Sequence, residues 1–391
     1  MIKIFSAKGI YIVKKDLIQF IEHNREQILQ TYQELHQLAE PSWQEEKTSA
    51  YIREKLIRAG LSVKTYEEHF GLVVEMKGEL NDVIALRADM DALVQEVDGE
   101  VRANHSCGHD GHSTMALFTA LAIANSEHSF KHTFRVIFQP AEEKAEGALK
   151  MIEAGALENV KFLGGIHVRP ALEIPFQKAA PVILHGSTAI IQGVIKGVPA
   201  HAARPEEGNN PLEAAAFLIQ AIRQIQLKDA HKYSIKITEL HGGEASNLIP
   251  ETVHFTFDLR AETNETMNKL ILKAEQTIQK ISELTETVIE SSLGEYSPAA
   301  VRNPKAMELG KKAIISILGE ENYVQECPSP GAEDFHFYSL KKPEISATMI
   351  GLGCDLKPGL HHPKMNFNQE ALVYGTKILT SLLLEADQEQ W

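Results

Sequence analysis

The 391-residue chain is poor in cysteine, in positive charge and in long apolar runs. Three cysteines, Cys107, Cys327 and Cys354, are an odd number scattered over a long sequence, which excludes a disulfide framework and fits a reducing cytoplasm. Lysine and arginine number 39 against 53 aspartates and glutamates. The formal net charge of -14 leaves no basic face for a nucleic acid or an anionic membrane, so small molecules remain the expected partners. No uncharged apolar stretch reaches the roughly 18 residues of a membrane span. The N-terminal stretch is interrupted by Lys8 and then Lys14-Lys15, so it lacks a continuous signal core, and the chain is expected to be soluble and unexported.

What is present is the composition of a globular protein, 43% hydrophobic and 24% charged, at a length that predicts two domains. Apolar residues Leu17, Ile21, Ile28, Tyr32 and Leu35 recur at helical spacing, predicting one amphipathic helix from Asp16 to Leu38. Ser42 with Glu45 three residues on reads as a capping box opening a second helix, which Gly60 closes. Strand-like runs follow at 71–76 and 83–86, the latter leading to Asp89 and Asp91. Met115 to Ala124 reads as a buried helix, 133–138 as a strand ending in Gln139-Pro140-Ala141-Glu142-Glu143, and 162–166 as a strand leading to His167. Strands alternating with helices predict a mixed, largely parallel α/β sheet flanked by helices, whose ligands bind beyond the strands' carboxyl ends.

From about Gly186 the pattern becomes strand 189–196, helix 211–225, strands 233–240 and 252–259, helix 265–281 and strand 286–292. That order is a ferredoxin-like βαββαβ unit, read as an inserted domain over 186–297. Residues 1–185 and 298–391 then form the larger domain, finishing with a helix from Pro304, a strand 345–350 and a closing helix from Gln369.

Asn104 to His112 packs three imidazoles, a thiol and a carboxylate into one short stretch. Thiolate and imidazole are good ligands for zinc and its neighbours, and the glycine between Cys107 and His109 lets both turn toward one ion. Glu142-Glu143 is the second signal. Adjacent residues at a strand end are expected to point to different sides, one carboxylate holding a metal while the other serves as general base. Singly, each residue has a plain structural reading: a solvated acidic turn for Glu142-Glu143, a core or surface histidine for His167, a loop for His361-His362, a small buried hydrophobe for Cys107, helix caps for Asp89 and Asp91. A metal-free alternative also stands, with Cys107 as a nucleophile assisted by a histidine.

Several motifs resemble the metal-dependent amidohydrolases of the aminoacylase and carboxypeptidase clan, in the branch with hippurate hydrolase, auxin-conjugate hydrolases and N-acetyl-diaminopimelate deacetylase. They are Leu-Arg-Ala-Asp-Met-Asp-Ala-Leu (Leu86 to Leu93), His-Ser-Cys-Gly-His-Asp-Gly-His (His105 to His112), Gln-Pro-Ala-Glu-Glu (Gln139 to Glu143) and Gly-Ile-His-Val (Gly165 to Val168). Further along stand Ala-His-Ala-Ala-Arg-Pro (Ala200 to Pro205), Asn-Leu-Ile-Pro (Asn247 to Pro250), Asp-Leu-Arg (Asp258 to Arg260), Glu-Asp-Phe (Glu333 to Phe335) and Leu-His-His-Pro (Leu360 to Pro363). The resemblance implies two divalent ions, zinc or manganese first and cobalt or nickel as alternatives, held by Cys107, His109, Glu143, His167 and His361. It makes Glu142 the general base. His201 would stabilise the oxyanion from a partner subunit of a homodimer, and Asn247 and Arg260 would lie toward the substrate, although a salt bridge fixing the sheet edge explains Arg260 almost as well. The implied substrate is an N-acyl amino acid or small amide conjugate; the alternatives are a di- or carboxypeptidase on the same scaffold, or a metal- and ligand-binding homologue without turnover. The sequence departs from the family after Asp-Ala-Leu, where Val94 to Gly99 forms a shorter route to the cysteine cluster, and after Leu35-His36, where the familiar Pro-Glu is displaced into Ala39-Glu40-Pro41-Ser42.

Overall fold

The computed structural model describes residues 7–228 and 231–391. They form two compact units, one of 7–184, Val301–Ser329 and Phe337–Trp391, the other of 185–228, 231–300 and Pro330–His336. Residues 1–6 of the first expected domain lie outside the described residues.

The first unit is built on a seven-stranded sheet ordered Val63–Thr65, Leu72–Met76, His132–Gln139, Leu80–Asp89, Val160–Pro170, Ser346–Leu356, Ala179–Ala180. The four central strands run parallel and the outer pairings are antiparallel, so the mixed, largely parallel sheet is as expected. The pattern is physical: the central strands are buried on both faces, and His132–Gln139 is buried at every position. Helix His109–Ala124 is buried almost throughout and packs with Glu370–Asp387 in the same apolar core. At the far end of that closing helix the buried Asp387 accepts hydrogen bonds from the backbone of Lys131 and His132 and from His132 Nδ1, at 3.2, 2.7 and 3.1 Å. It thereby pins the start of the strand whose other end carries Glu142.

Three local expectations differ. The helix read from Asp16 to Leu38 is two helices, Ala7–His23 and Arg25–Gln37, broken at Asn24, whose side-chain amide donates to the Phe20 carbonyl at 2.8 Å. The capping box does not form: helix Glu46–Arg58 is capped instead by Glu40, which accepts from Lys47 N at 3.1 Å and Thr48 N at 2.9 Å. The route from Leu93 to Asn104 is a β-hairpin turning at Asp98-Gly99, both with positive φ. Asp-Gly between short strands is a strong hairpin signal.

In the second unit four antiparallel strands lie in the order Tyr233–Gly242, Thr252–Ala261, Ser187–Lys196, Val288–Ser297. With helices Pro211–Arg223 and Asn264–Thr285 this is the ferredoxin-like βαββαβ topology. Alternation along Thr252–Ala261 places Val253, Phe255, Phe257 and Leu259 in the core beneath those helices. A two-residue arm, Ala200–His201 paired with Leu248–Ile249, projects from it. The segment Pro330–His336 belongs to this unit, and His185 Nδ1 lies 3.0 Å from His336 Nε2, both rings buried. No helix among the described residues is long and apolar enough to cross a membrane.

Replacing Asp387 with alanine strips one buried and one partly buried backbone N–H group of their acceptor, and a loss of roughly 2–4 kcal/mol is expected. Equilibrium denaturation of the purified variant measures it; a midpoint shift too small for even 1 kcal/mol would show that the strand is anchored elsewhere.

Candidate metal centre

The site gathers where the parallel strands end. Asp89 closes one strand and Asp91 follows it; His167 lies within the neighbouring one; Glu142 and Glu143 follow a third. Cys107 and His109 flank Gly108, which sits at φ +90° with no room for a side chain, since a Cβ there would lie 2.5 Å from Val168 Cγ2. Only glycine satisfies both conditions, and it brings thiol and imidazole toward the same pocket. The loop carrying His361 reaches the cluster through a backbone hydrogen bond from His361 N to the Ser106 carbonyl at 2.7 Å.

His109 and His167 are each held by one nitrogen and present the other. His109 Nδ1 donates to the Asp91 carbonyl at 2.9 Å and lies 3.2 Å from Asp91 Oδ1, leaving Nε2 toward the cluster. His167 Nδ1 donates to the Val168 carbonyl at 2.7 Å, leaving Nε2 at 3.6 Å from Cys107 Sγ. His361 Nε2 stands 3.6 Å from Glu143 Oε2. His109 Nε2 faces Glu142 Oε2 at 3.7 Å and Glu143 Oε1 at 3.8 Å. Such separations are of the order of the roughly 3.3–3.8 Å between donor atoms gathered around a tetrahedral zinc-like ion. His109 Nε2 and Glu143 Oε1 are buried and have no hydrogen-bond partner, as expected of donor atoms that await a cation.

Five groups of three donor residues form among the described residues, and two of these triads, Cys107-His109-His167 and Cys107-Glu143-His361, include the cysteine, with the ligand atoms of each within 4.8 Å of one another. They share the sulfur of Cys107. Burial disfavours the charged forms of Cys107 and Glu143 unless a cation shares the charge. Burial, reinforced by Glu143, pushes the Cys107 thiol well above its usual range, and burial lifts the Glu143 carboxyl to about 7. Burial, with His112 and Arg169 nearby, holds His167 well below the usual histidine value, so its ring is a neutral donor.

Glu142 and Glu143 do not diverge as adjacent strand residues should. The strand ends at Gln139, Ala141 adopts the left-handed conformation (φ 52°), and the glutamates curl into a 3-10 turn, so both carboxylates approach His109. Asp91 fixes that turn by accepting from Glu142 N at 3.1 Å and Glu143 N at 3.0 Å. His112 donates from Nδ1 to Asp89 at 2.7 Å and accepts the Val168 N–H at Nε2 at 3.0 Å, so both its nitrogens are engaged beside His167. Asp110 takes the ring of His36 at 2.7 Å, a pairing that nothing in the sequence announced.

Cys107, His109, Glu142, Glu143, His167 and His361 therefore converge within the first unit. His201, Asn247 and Arg260 belong to the second. There His201 is exposed on the two-residue arm, with Asn247 beside it accepting the Ala202 N–H at its backbone carbonyl at 2.9 Å. Arg260 is paired with Asp258 of its own strand at 2.7 Å.

Residues 85–385 match the sequence pattern of peptidase family M20/M25/M40. The chain is 32% identical over 373 residues to IAA-amino acid hydrolase ILR1-like 2 of Arabidopsis thaliana, covering 91% of this chain and 84% of that protein. It is 28% identical over 364 residues to N-acetylcysteine deacetylase of Bacillus subtilis, covering 89% and 94% of the two. Among solved structures, the YXEP protein of Bacillus subtilis, described as a dinuclear metal binding peptidase from the M20 family, superposes with a TM-score of 0.80 at 26% identity, covering 94% of this chain and 99% of that one. On the match across residues 85–385 and the full-length likeness to a named hydrolase, the chain belongs to peptidase family M20/M25/M40 and is a hydrolase of amide bonds.

Proposed function

We propose that the protein removes the acyl group from N-acyl amino acids or small amide conjugates at a two-ion centre, with Glu142 as the general base. The observation that carries this reading is the pair of donor triads meeting at Cys107 with a further carboxylate beside them. Cys107, His109 and His167 would hold one ion, and Cys107, Glu143 and His361 the other. The mixed thiolate, imidazole and carboxylate set suits zinc, with manganese next and cobalt or nickel as alternatives. When bound, the ions supply Lewis acidity that polarises the amide carbonyl and favours loss of a proton from water. The relatives named for IAA-amino acids and for N-acetylcysteine point to the same substrate chemistry, an acyl group on an amino-acid nitrogen.

In this mechanism Glu142 takes the proton of the attacking water on a carboxylate oxygen and then delivers it to the leaving nitrogen, so the amine departs neutral. Its backbone, held by Asp91, keeps the carboxylate at the cluster through both transfers. His201 would donate to the developing oxyanion from a partner subunit of a homodimer, a role that its exposure on the arm allows. Asn247 and Arg260 would receive the free carboxylate of the amino acid, Arg260 sharing its guanidinium with Asp258. Cys107 is a poor candidate nucleophile, because burial disfavours its thiolate in the absence of a cation. All three cysteines are free and buried, in keeping with the cytoplasmic location we propose.

Glu142→Gln keeps the donor set and removes the base. It should retain wild-type metal content by elemental analysis while kcat falls on the order of 100-fold or more, and near-normal turnover would overturn the assignment. Dialysis against a strong chelator should abolish hydrolysis of acetyl- and benzoyl-amino acids, with recovery on adding zinc or manganese. Full activity in the demetallated protein would favour the cysteine route, and release of amino acids from dipeptides alone would make it a peptidase.

A further inference from the structure

Glu45 is fully buried in the first unit and far in sequence from the cluster, yet it grips the segment that carries the base. Its Oε1 accepts the backbone N–H of Ala141 at 2.9 Å and that of Trp43 at 3.0 Å. Ala141 immediately precedes Glu142 and holds φ 52°, ψ 44°, a conformation that disfavours a residue with a Cβ by roughly 1–2 kcal/mol. Nothing in the local sequence compensates, since no glycine or asparagine stands there. The turn is held from outside. Ala141 N is taken by Glu45, Glu142 N and Glu143 N by Asp91, and Ser42 Oγ ties the two carboxylate sites together by donating to Asp91 at 2.7 Å. Trp43, itself at φ 67°, adds a bond from its indole nitrogen to Glu146 at 2.7 Å on the far side of the turn.

We propose that Glu45 is a positioning residue for the general base: by accepting the Ala141 N–H, it fixes the left-handed step that aims the Glu142 carboxylate into the centre. Glu45 lies in neither donor triad, so its effect falls on the placement of Glu142 rather than on ion binding. A buried carboxylate in this place is otherwise hard to explain. Its second oxygen, Oε2, is buried without a partner, a penalty that a merely structural position would relieve with an apolar side chain. Glu143 follows on the same turn, one residue further from Ala141, with its own backbone N–H taken by Asp91.

The inference rests on Glu142 acting as the base, and a mutant cycle separates the two ideas. Glu45→Gln keeps an acceptor oxygen and should hold kcat within about threefold of wild type, whereas Glu45→Met, similar in length but without an acceptor, should lower kcat by roughly 10–100-fold. KM for an acetyl-amino acid and the metal content should stay at wild-type values in both. In a Glu142→Gln background, Glu45→Met should add little further loss, because the group it aims is gone. A fully multiplicative loss in the double variant, a loss appearing in KM or metal content, or a Glu45→Gln enzyme as impaired as Glu45→Met would overturn the inference. If Glu45→Met fails to fold, the Glu45→Gln comparison alone decides: a fall beyond about tenfold would show that charge, not the hydrogen bond, is what matters. Normal turnover in Glu142→Gln alone would instead refute the base assignment and leave Glu45 a structural residue.

Discussion

Asp91 has no solvent-exposed surface, and its two carboxylate oxygens serve four donors: Ser42 Oγ, His109 Nδ1 and the backbone N–H groups of Glu142 and Glu143. Burying a carboxylate is unfavourable by several kcal/mol unless such donors satisfy it, and here they overcome the burial that would otherwise raise its pKa and hold it below the usual range. The arrangement is all-or-none in character. With the charge compensated, one group fixes which nitrogen of His109 is free, where the glutamate turn begins and how the Ser42 turn docks. With any donor lost, the rest must carry an underpaired buried charge.

The remaining geometry follows from the sheet. Parallel strands deliver their carboxyl ends to one edge, and each contributes a different functional group, so residues separated by most of the chain meet without a long loop. Rigid elements also explain the precision of the donor spacing: His167 is within a central strand, His109 opens a buried helix, and Gly108 fixes the angle between thiol and imidazole.

Much of this is legible in the amino-acid order. Helical and alternating periodicity give the parallel sheet and the ferredoxin-like unit, and the resemblance of the motifs to a known family implies Cys107, His109, Glu143, His167 and His361 as a set. What escapes is non-local or breaks a local rule. Glu45 is three residues from Ser42 and looks like half of a capping box, but its partner Ala141 lies 96 positions away. The alternation that should separate Glu142 from Glu143 fails at Ala141, where no glycine announces a left-handed residue. Asn24 interrupts a helix whose apolar spacing runs on across it. The Asp98-Gly99 turn, by contrast, was written in the sequence in full and needed only to be read as a hairpin rather than as a shortened link.

The return of Pro330–His336 to the second unit has a consequence for the chain as a polymer. A single inserted segment would enter and leave its host once, and could be cut out or exchanged as a cassette. Here the backbone passes between the units four times, at 184/185, 300/301, 329/330 and 336/337. A fragment ending at residue 300 would leave buried His185 facing the space that His336 fills. The second unit is thus completed only after the chain has already resumed its first unit, so the two cannot be finished strictly one after the other as the polypeptide emerges during synthesis.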